Sequence, residues 1–126
     1  MESADVYRCS EDAEYYFKEG CHILEWLNRE DDPAVSVARA RVAPGVRTRR
    51  HRLIGIAERY LVLEGRGEVE VAVRPPAPVG PGSVVLIPAG CDQCITNTGT
   101  EPLVFLAVCT PRFVPEAYID SEEDGP

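Results

Sequence analysis

Glycine and proline interrupt this sequence so often that few apolar segments are long enough to form a helix. The chain of 126 residues contains 10 glycines and 11 prolines. The apolar runs between them are short and rich in valine, isoleucine and leucine, a composition that favours β-strands joined by tight turns. The sequence therefore predicts an all-β domain, either a sandwich or a barrel.

Alternating apolar and polar residues locate the individual elements. Strands are predicted over residues 21–28, 35–42, 58–64, 68–73, 83–87, 95–98 and 103–109. One short helix is expected over residues 11–19, ended by Gly20, and residues 75–81 contain too many prolines for a central strand. Because alternate side chains of each strand must line an interior, the chemistry is expected there.

The charge of the chain restricts its partners. A net charge of −8 argues against nucleic acid, because phosphate binding needs a basic surface. Lys18 is the only lysine, and four arginines lie within residues 47–52. This arginine cluster either faces an anionic ligand or balances nearby acidic residues.

The sequence contains no signal for a membrane or for export. No apolar run approaches the roughly 20 residues that span a bilayer, and the first ten residues do not resemble a signal peptide. A cytoplasmic protein with five reduced cysteines is therefore expected. Cys91 and Cys94 form a C-x-x-C pair, but no second pair of ligands completes a zinc site, so both are expected to be structural.

Two segments have regular spacing. In the first, five residues separate Gly45 from His51, Leu53 follows two positions later, four residues precede Glu58, and six more precede Gly65. A carboxylate directed into a barrel costs several kcal/mol unless it is paired or protonated, so Glu58 must have a partner or carry a proton.

The second segment repeats this pattern of turn residues and polar groups. Five residues separate Gly82 from Pro88, Gly90 follows, two residues precede Gln93, and three more precede Asn97. The proline and the glycines allow rigid turns between paired strands.

Together these segments resemble the two motifs of the cupin family, G-x5-H-x-H-x3/4-E-x6-G and G-x5-P-x-G-x2-H-x3-N, with Leu53 and Gln93 in place of two histidines. The resemblance spans residues 35–109 and implies a jelly-roll barrel, the cupin double-stranded β-helix. It divides a single domain into an N-terminal extension and covering strand (1–34), a motif-bearing barrel (35–110) and a C-terminal tail (111–126).

The resemblance also implies a metal site. Typical cupins hold a divalent ion with three histidines and the glutamate, so the remaining ligands here are His51, Glu58 and the amide oxygen of Gln93, with Fe, Mn, Ni or Zn as the cofactor. The residues themselves also allow the alternative of a metal-free pocket, in which Glu58 pairs with Arg39, Arg41 or His51.

Strand alternation places Tyr60 on the same face as Glu58, which makes Tyr60 a candidate catalytic and substrate-binding residue. Arg39 and Arg41 are candidates for capturing an anionic group. By resemblance, the chain acts on or binds a small polar or anionic molecule, as a metal-dependent isomerase, lyase or oxygenase. The alternatives are a metal-free binding or sensor cupin, and an accessory subunit that acts through its outer face.

The same alternation directs Leu61 and Leu63 away from the interior. This outward apolar pair predicts a homodimer. The alternative is that residues 15–27 cover these leucines within one chain.

Overall fold

The computed structural model describes residues 4–122, and within that range nearly all regular structure is β. The strands are β1 Tyr15–Phe17, β2 Cys21–Leu27, β3 Ser36–Val42, β4 His51–Leu53, β5 Ala57–Glu64, β6 Gly67–Val71, β7 Ala77–Val79, β8 Val84–Ile87, β9 Gln93–Asn97, β10 Leu103–Thr110 and β11 Tyr118–Asp120. Two 3-10 turns, Glu11–Ala13 and Pro115–Ala117, complete the structure. The predicted all-β fold class is confirmed.

The strands form two antiparallel sheets, and the buried hydrophobic residues form two clusters. The larger sheet has the order β1-β2-β3-β10-β5-β8, and the smaller has the order β11-β4-β9-β6-β7. Neighbours distant in sequence, such as β3 and β10, pair across the whole motif region, which is the jelly-roll arrangement predicted from the sequence. All seven predicted strands correspond to observed ones, while β1, β4, β7 and β11 were not predicted. The proline-containing β7 lies at a sheet edge, where a missing N–H is tolerated.

The helix predicted over residues 11–19 is wrong. Only Glu11–Ala13 forms a 3-10 turn, and the chain then extends into β1, which pairs with β2. The three residues of β1 are Tyr15, Tyr16 and Phe17, whose aromatic side chains favour a sheet. Pairing with β2 therefore prevails over the local helical pattern.

Ion pairs on the outer side of β3 hold this N-terminal segment in place. Glu14 Oε1 lies 2.6 Å from Arg41 Nη2, and Glu14 Oε2 lies 3.0 Å from Arg39 Nη2. Arg39 also contacts Glu11 at 2.8 Å. Hydrogen bonds from Arg41, and then from Arg39, lower the pKa of Glu14 to about 2.

The interior and exterior faces of β5 follow the predicted alternation. Glu58, Tyr60 and Val62 are buried, whereas Leu63 is 44% exposed. The N-terminal strands extend the sheet at the edge opposite β8, so they do not lie over Leu61 and Leu63. Within residues 4–122, no helix is long and apolar enough to cross a membrane.

The turn between β5 and β6 packs closely against Pro102, and substitutions at its glycine test this contact. Gly65 has φ +86°, and a Cβ there would lie 2.5 Å from Pro102 O. Gly82 has a similar φ of +90° with nothing within 4 Å, so it serves as a control. We expect Gly82→Ala to lower the free energy of unfolding by about 1 kcal/mol, from backbone strain alone. Gly65→Ala should cost about 3 kcal/mol, because strain and a backbone clash add.

Urea denaturation of both variants measures the difference. Equal losses of stability for the two variants would show that the close approach of Gly65 to Pro102 does not constrain the fold.

Candidate functional site

A cavity lies between the two sheets, at the end where β1, β2 and β11 meet the motif strands. The centre of a water molecule can occupy about 60 Å³ of it, which is room for several waters. Its polar lining consists of Glu19, Glu25, Ser36, His51, Glu58 and Cys109. Its aromatic lining consists of Tyr15, Phe17, Phe113 and Tyr118.

His51 forms part of the cavity wall, and its two ring nitrogens have different surroundings. Nδ1 lies 2.8 Å from the carbonyl oxygen of Arg49, and because a carbonyl only accepts, Nδ1 carries the hydrogen. In the neutral ring Nε2 then carries the lone pair, on the side of Glu19, whose Oε2 is 3.8 Å away. Tyr118 stacks on the ring with centroids 5.0 Å apart, which fixes the orientation of the imidazole.

Glu58 also lines this cavity, and it is 8% exposed. Hydrogen bonds from Gln93 and the Cys109 thiol reach its carboxyl group, but its Oε1 has no hydrogen-bond partner. Burial, followed by the nearby Glu19, raises the pKa of Glu58 to about 7. A buried oxygen without a partner in a cavity indicates a place for a ligand or water.

Glu19 is a site residue that the sequence analysis missed. It lies in the turn between β1 and β2, its side chain is 15% exposed, and burial raises its pKa to about 7. Tyr15, Phe17 and Glu19 all line the cavity, and they stand at every second position although Glu19 lies in the turn beyond β1. Extending the alternation of β1 into the following turn would identify Glu19, but the sequence pattern predicts a helix over this segment.

Gln93 and Tyr60 bond to each other in the core and do not line the cavity. The Tyr60 hydroxyl donates to Gln93 Oε1. The Tyr60 ring packs against Phe105 with centroids 4.4 Å apart. The amide oxygen expected to hold a metal is therefore engaged by Tyr60, and the Tyr60 hydroxyl is engaged in turn.

The residues present do not fit the metal site that the resemblance implies. His51 and Glu58 reach the cavity, but Leu53 supplies an apolar wall and the Gln93 oxygen is bound by Tyr60. Across residues 4–122, no three or more His, Cys, Asp or Glu side chains form a group that could hold a metal ion. The five cysteines are all free, Cys91 and Cys94 included.

The arginines form ion pairs away from the cavity. Arg39 and Arg41 pair with Glu14 on the outer side of β3, so they are partners neither of Glu58 nor of a ligand in the cavity. In the cluster at residues 47–52, Arg49 pairs with Asp120 at 2.8 Å and Arg50 pairs with Glu70 at 2.8 Å. In the described part of the chain, no arginine or lysine lines the cavity.

These features can be compared with known proteins. Residues 38–109 match the family model described as the cupin domain, which is more than half of the chain. The chain therefore belongs to the cupin family. A comparison with curated proteins gave no significant match.

Solved structures share the fold at low sequence identity. The Schizosaccharomyces pombe Cnp3 cupin domain has a TM-score of 0.65 at 16% identity, over 72% of this chain and 64% of that chain. Pac13, a nucleoside dehydratase of Streptomyces, has a TM-score of 0.74 at 16% identity, over 92% of this chain and 91% of that chain. Lactobacillus farciminis oxalate decarboxylase has a TM-score of 0.73 at 22% identity, over 86% of this chain and only 33% of that chain.

The raised pKa values predict how stability depends on pH. The folded protein keeps protons on Glu19 and Glu58 up to about pH 7, whereas the unfolded chain releases them near 4.5. Their contribution is therefore fully present below pH 4.5 and is lost as pH rises through 7. We expect a lower free energy of unfolding at pH 8 than at pH 5, by at most about 3 kcal/mol for each carboxyl.

Urea denaturation at both pH values measures this loss, and Glu58→Gln should remove about half of it. Stability that is equal at the two pH values, or higher at pH 8, would show that the carboxyls ionise freely in the folded protein.

Proposed function

We propose that this cupin transfers protons on a small molecule bound in the cavity, with His51 as the base and Glu58 as the acid. The observation that carries the proposal is the placement of the His51 lone pair and the unpartnered Glu58 oxygen on one cavity. A base and an acid on the walls of one site are the requirements for general acid–base catalysis.

His51 is suited to accept a proton because its tautomer and its orientation are both held. The Arg49 carbonyl keeps the hydrogen on Nδ1, and stacking on Tyr118 holds the ring. Nε2 then takes a proton from a C–H or O–H of the bound molecule. The positive charge that forms on the imidazole lies beside Glu19, which stabilises it when ionised.

Glu58 is suited to deliver a proton because burial keeps its carboxyl protonated up to about pH 7. In an elimination, Glu58 protonates the leaving group while His51 accepts the proton from the adjacent carbon, so one proton enters the substrate and one leaves. In an isomerisation, the same pair removes a proton at one carbon and supplies one at another. Transfer of the proton from His51 back to Glu58, with Glu19 as the intermediate carrier, restores the starting state.

The comparisons are compatible with this proposal at the level of the fold. Dehydration, the reaction in the description of Pac13, needs a proton removed from the substrate and one delivered to a leaving oxygen. At 16% identity the similarity concerns the barrel alone, and the support for proton transfer in this chain comes from its own cavity.

Deuterium exchange tests the proposal without knowledge of the natural substrate. The protein is incubated in D₂O with small ketones that carry acidic C–H groups, such as hydroxyacetone and dihydroxyacetone, and exchange is followed by proton NMR. We expect exchange to be accelerated, and His51→Gln and Glu58→Gln to lower the rate by at least about 100-fold. Glu68→Gln, an exposed residue on β6, is the matched control and should leave the rate unchanged.

The same assay includes a chelator, which should leave the rate unchanged. The proposal is wrong if neither variant lowers the rate, or if a chelator abolishes exchange and one added metal ion restores it. Binding of these ketones without exchange would indicate a binding module in place of an enzyme.

A further inference from the structure

The cavity wall carries three carboxyl groups and one imidazole, that of His51. Glu19, Glu25 and Glu58 line it, and among residues 4–122 no arginine or lysine does. Glu58 is 8% exposed, and Glu25 sits at the exposed rim. A wall of this kind disfavours a carboxylate or phosphate, because an anion entering it would lie beside these carboxyl groups, with no arginine or lysine among the described lining residues to pair with it.

Two buried oxygen atoms on this wall lack partners. Glu58 Oε1 and the Tyr118 hydroxyl are both without a hydrogen bond, and their residues are 8% and 7% exposed. Glu58 Oε1 accepts hydrogen bonds when the carboxyl is ionised, and a phenol oxygen can accept as well as donate. A ligand group that donates hydrogen bonds can therefore satisfy both atoms once Glu58 is ionised, and an ammonium group supplies three donors and no acceptor.

The aromatic part of the wall also favours a cation. The Phe17 ring packs edge-on against Tyr118 at 5.1 Å and against Phe113 at 6.5 Å, so three rings form one continuous surface. One cation of the chain already contacts these rings, since Lys18 Nζ lies 4.8 Å from the centre of the Tyr118 ring. Aromatic rings beside carboxylates are a common arrangement for binding ammonium groups, because both attract positive charge.

We propose that the ligand of this cavity is a small molecule with a protonated amine, whose ammonium group binds between Glu19 and Glu58 and whose carbon chain lies against Phe17 and Tyr118. The inference depends on the proposed function only in taking this cavity as the site where the ligand binds. It replaces the anionic ligand that Arg39 and Arg41 suggested in the sequence, since both arginines are paired with Glu14 outside the cavity.

An ammonium ligand is compatible with a proton donor in the same cavity. Two carboxylates close together cannot both ionise easily, whereas one carboxylate and one ammonium form a neutral pair. The ligand then pairs with one ionised carboxyl, and the other keeps the proton that the reaction needs. Because the cavity is small, the part of the ligand that enters it is either a short carbon chain or one end of a longer amine.

Three probes of similar size and different charge test this inference: butylammonium, butan-1-ol and butyrate. Binding to the full chain is measured at pH 7 and constant ionic strength from NMR shifts of the backbone amides of Phe17, Leu53 and Tyr118. We expect butylammonium to bind at least about tenfold more tightly than butan-1-ol, and butyrate not to bind.

Glu19→Gln provides the matched variant because it removes the charge and keeps the shape. It should weaken butylammonium about tenfold and leave butan-1-ol unchanged, while Glu68→Gln should change neither. Thermal melting of each variant verifies that it is folded, and Glu25→Gln, at the exposed rim, replaces Glu19→Gln if the latter does not fold.

The inference is overturned if butan-1-ol or butyrate binds as tightly as butylammonium. It is also overturned if neither Glu19→Gln nor Glu25→Gln weakens the binding of butylammonium. This failure is distinct from failure of proton transfer, which is measured on uncharged ketones. Selective binding of butylammonium without ketone exchange would support the ligand class and contradict the catalytic role.

Discussion

Two glutamates share one small cavity whose described lining contains no arginine or lysine, and this arrangement determines the properties of the site. Burial raises the pKa of Glu19 and of Glu58 to about 7, and the nearby Glu19 adds to the rise in the pKa of Glu58. The barrel tolerates them because thiols and an amide donate to them, Cys21 to Glu19, and Cys109 and Gln93 to Glu58. The cavity therefore contains two carboxyl groups that keep a proton up to about pH 7, and Glu19 lies beside the imidazole of His51.

The position of Glu58 could be predicted from the sequence because it depends on local rules. Period-two alternation along β5 directs Glu58 inward, and the turn residues Gly45 and Gly65 mark the limits of the first motif. The same rules located seven of the strands. They depend only on neighbouring residues and on turns, so one sequence is sufficient for them.

Other parts of the site depend on contacts between residues far apart in the chain, which one sequence does not show. The partner of Arg41 is Glu14, 27 positions away, and the hydroxyl that occupies the Gln93 oxygen belongs to Tyr60, 33 positions away. The position of Glu19 depends on the pairing of β1 with β2, which prevails over a local helical pattern. These contacts explain why Gln93, Arg39 and Arg41 are absent from the cavity lining while Glu19 is present, although His51 and Glu58 lie there as expected.

The most direct measurement is a carbon-13 NMR titration of protein labelled at the glutamate side-chain carboxyls. Because burial raises the pKa values of Glu19 and Glu58, we expect two resonances with midpoints near pH 7, one absent in Glu19→Gln and the other absent in Glu58→Gln. If all glutamates titrate near the usual value of about 4.3, the two carboxyls are hydrated or paired in solution and the cavity does not hold a proton for catalysis.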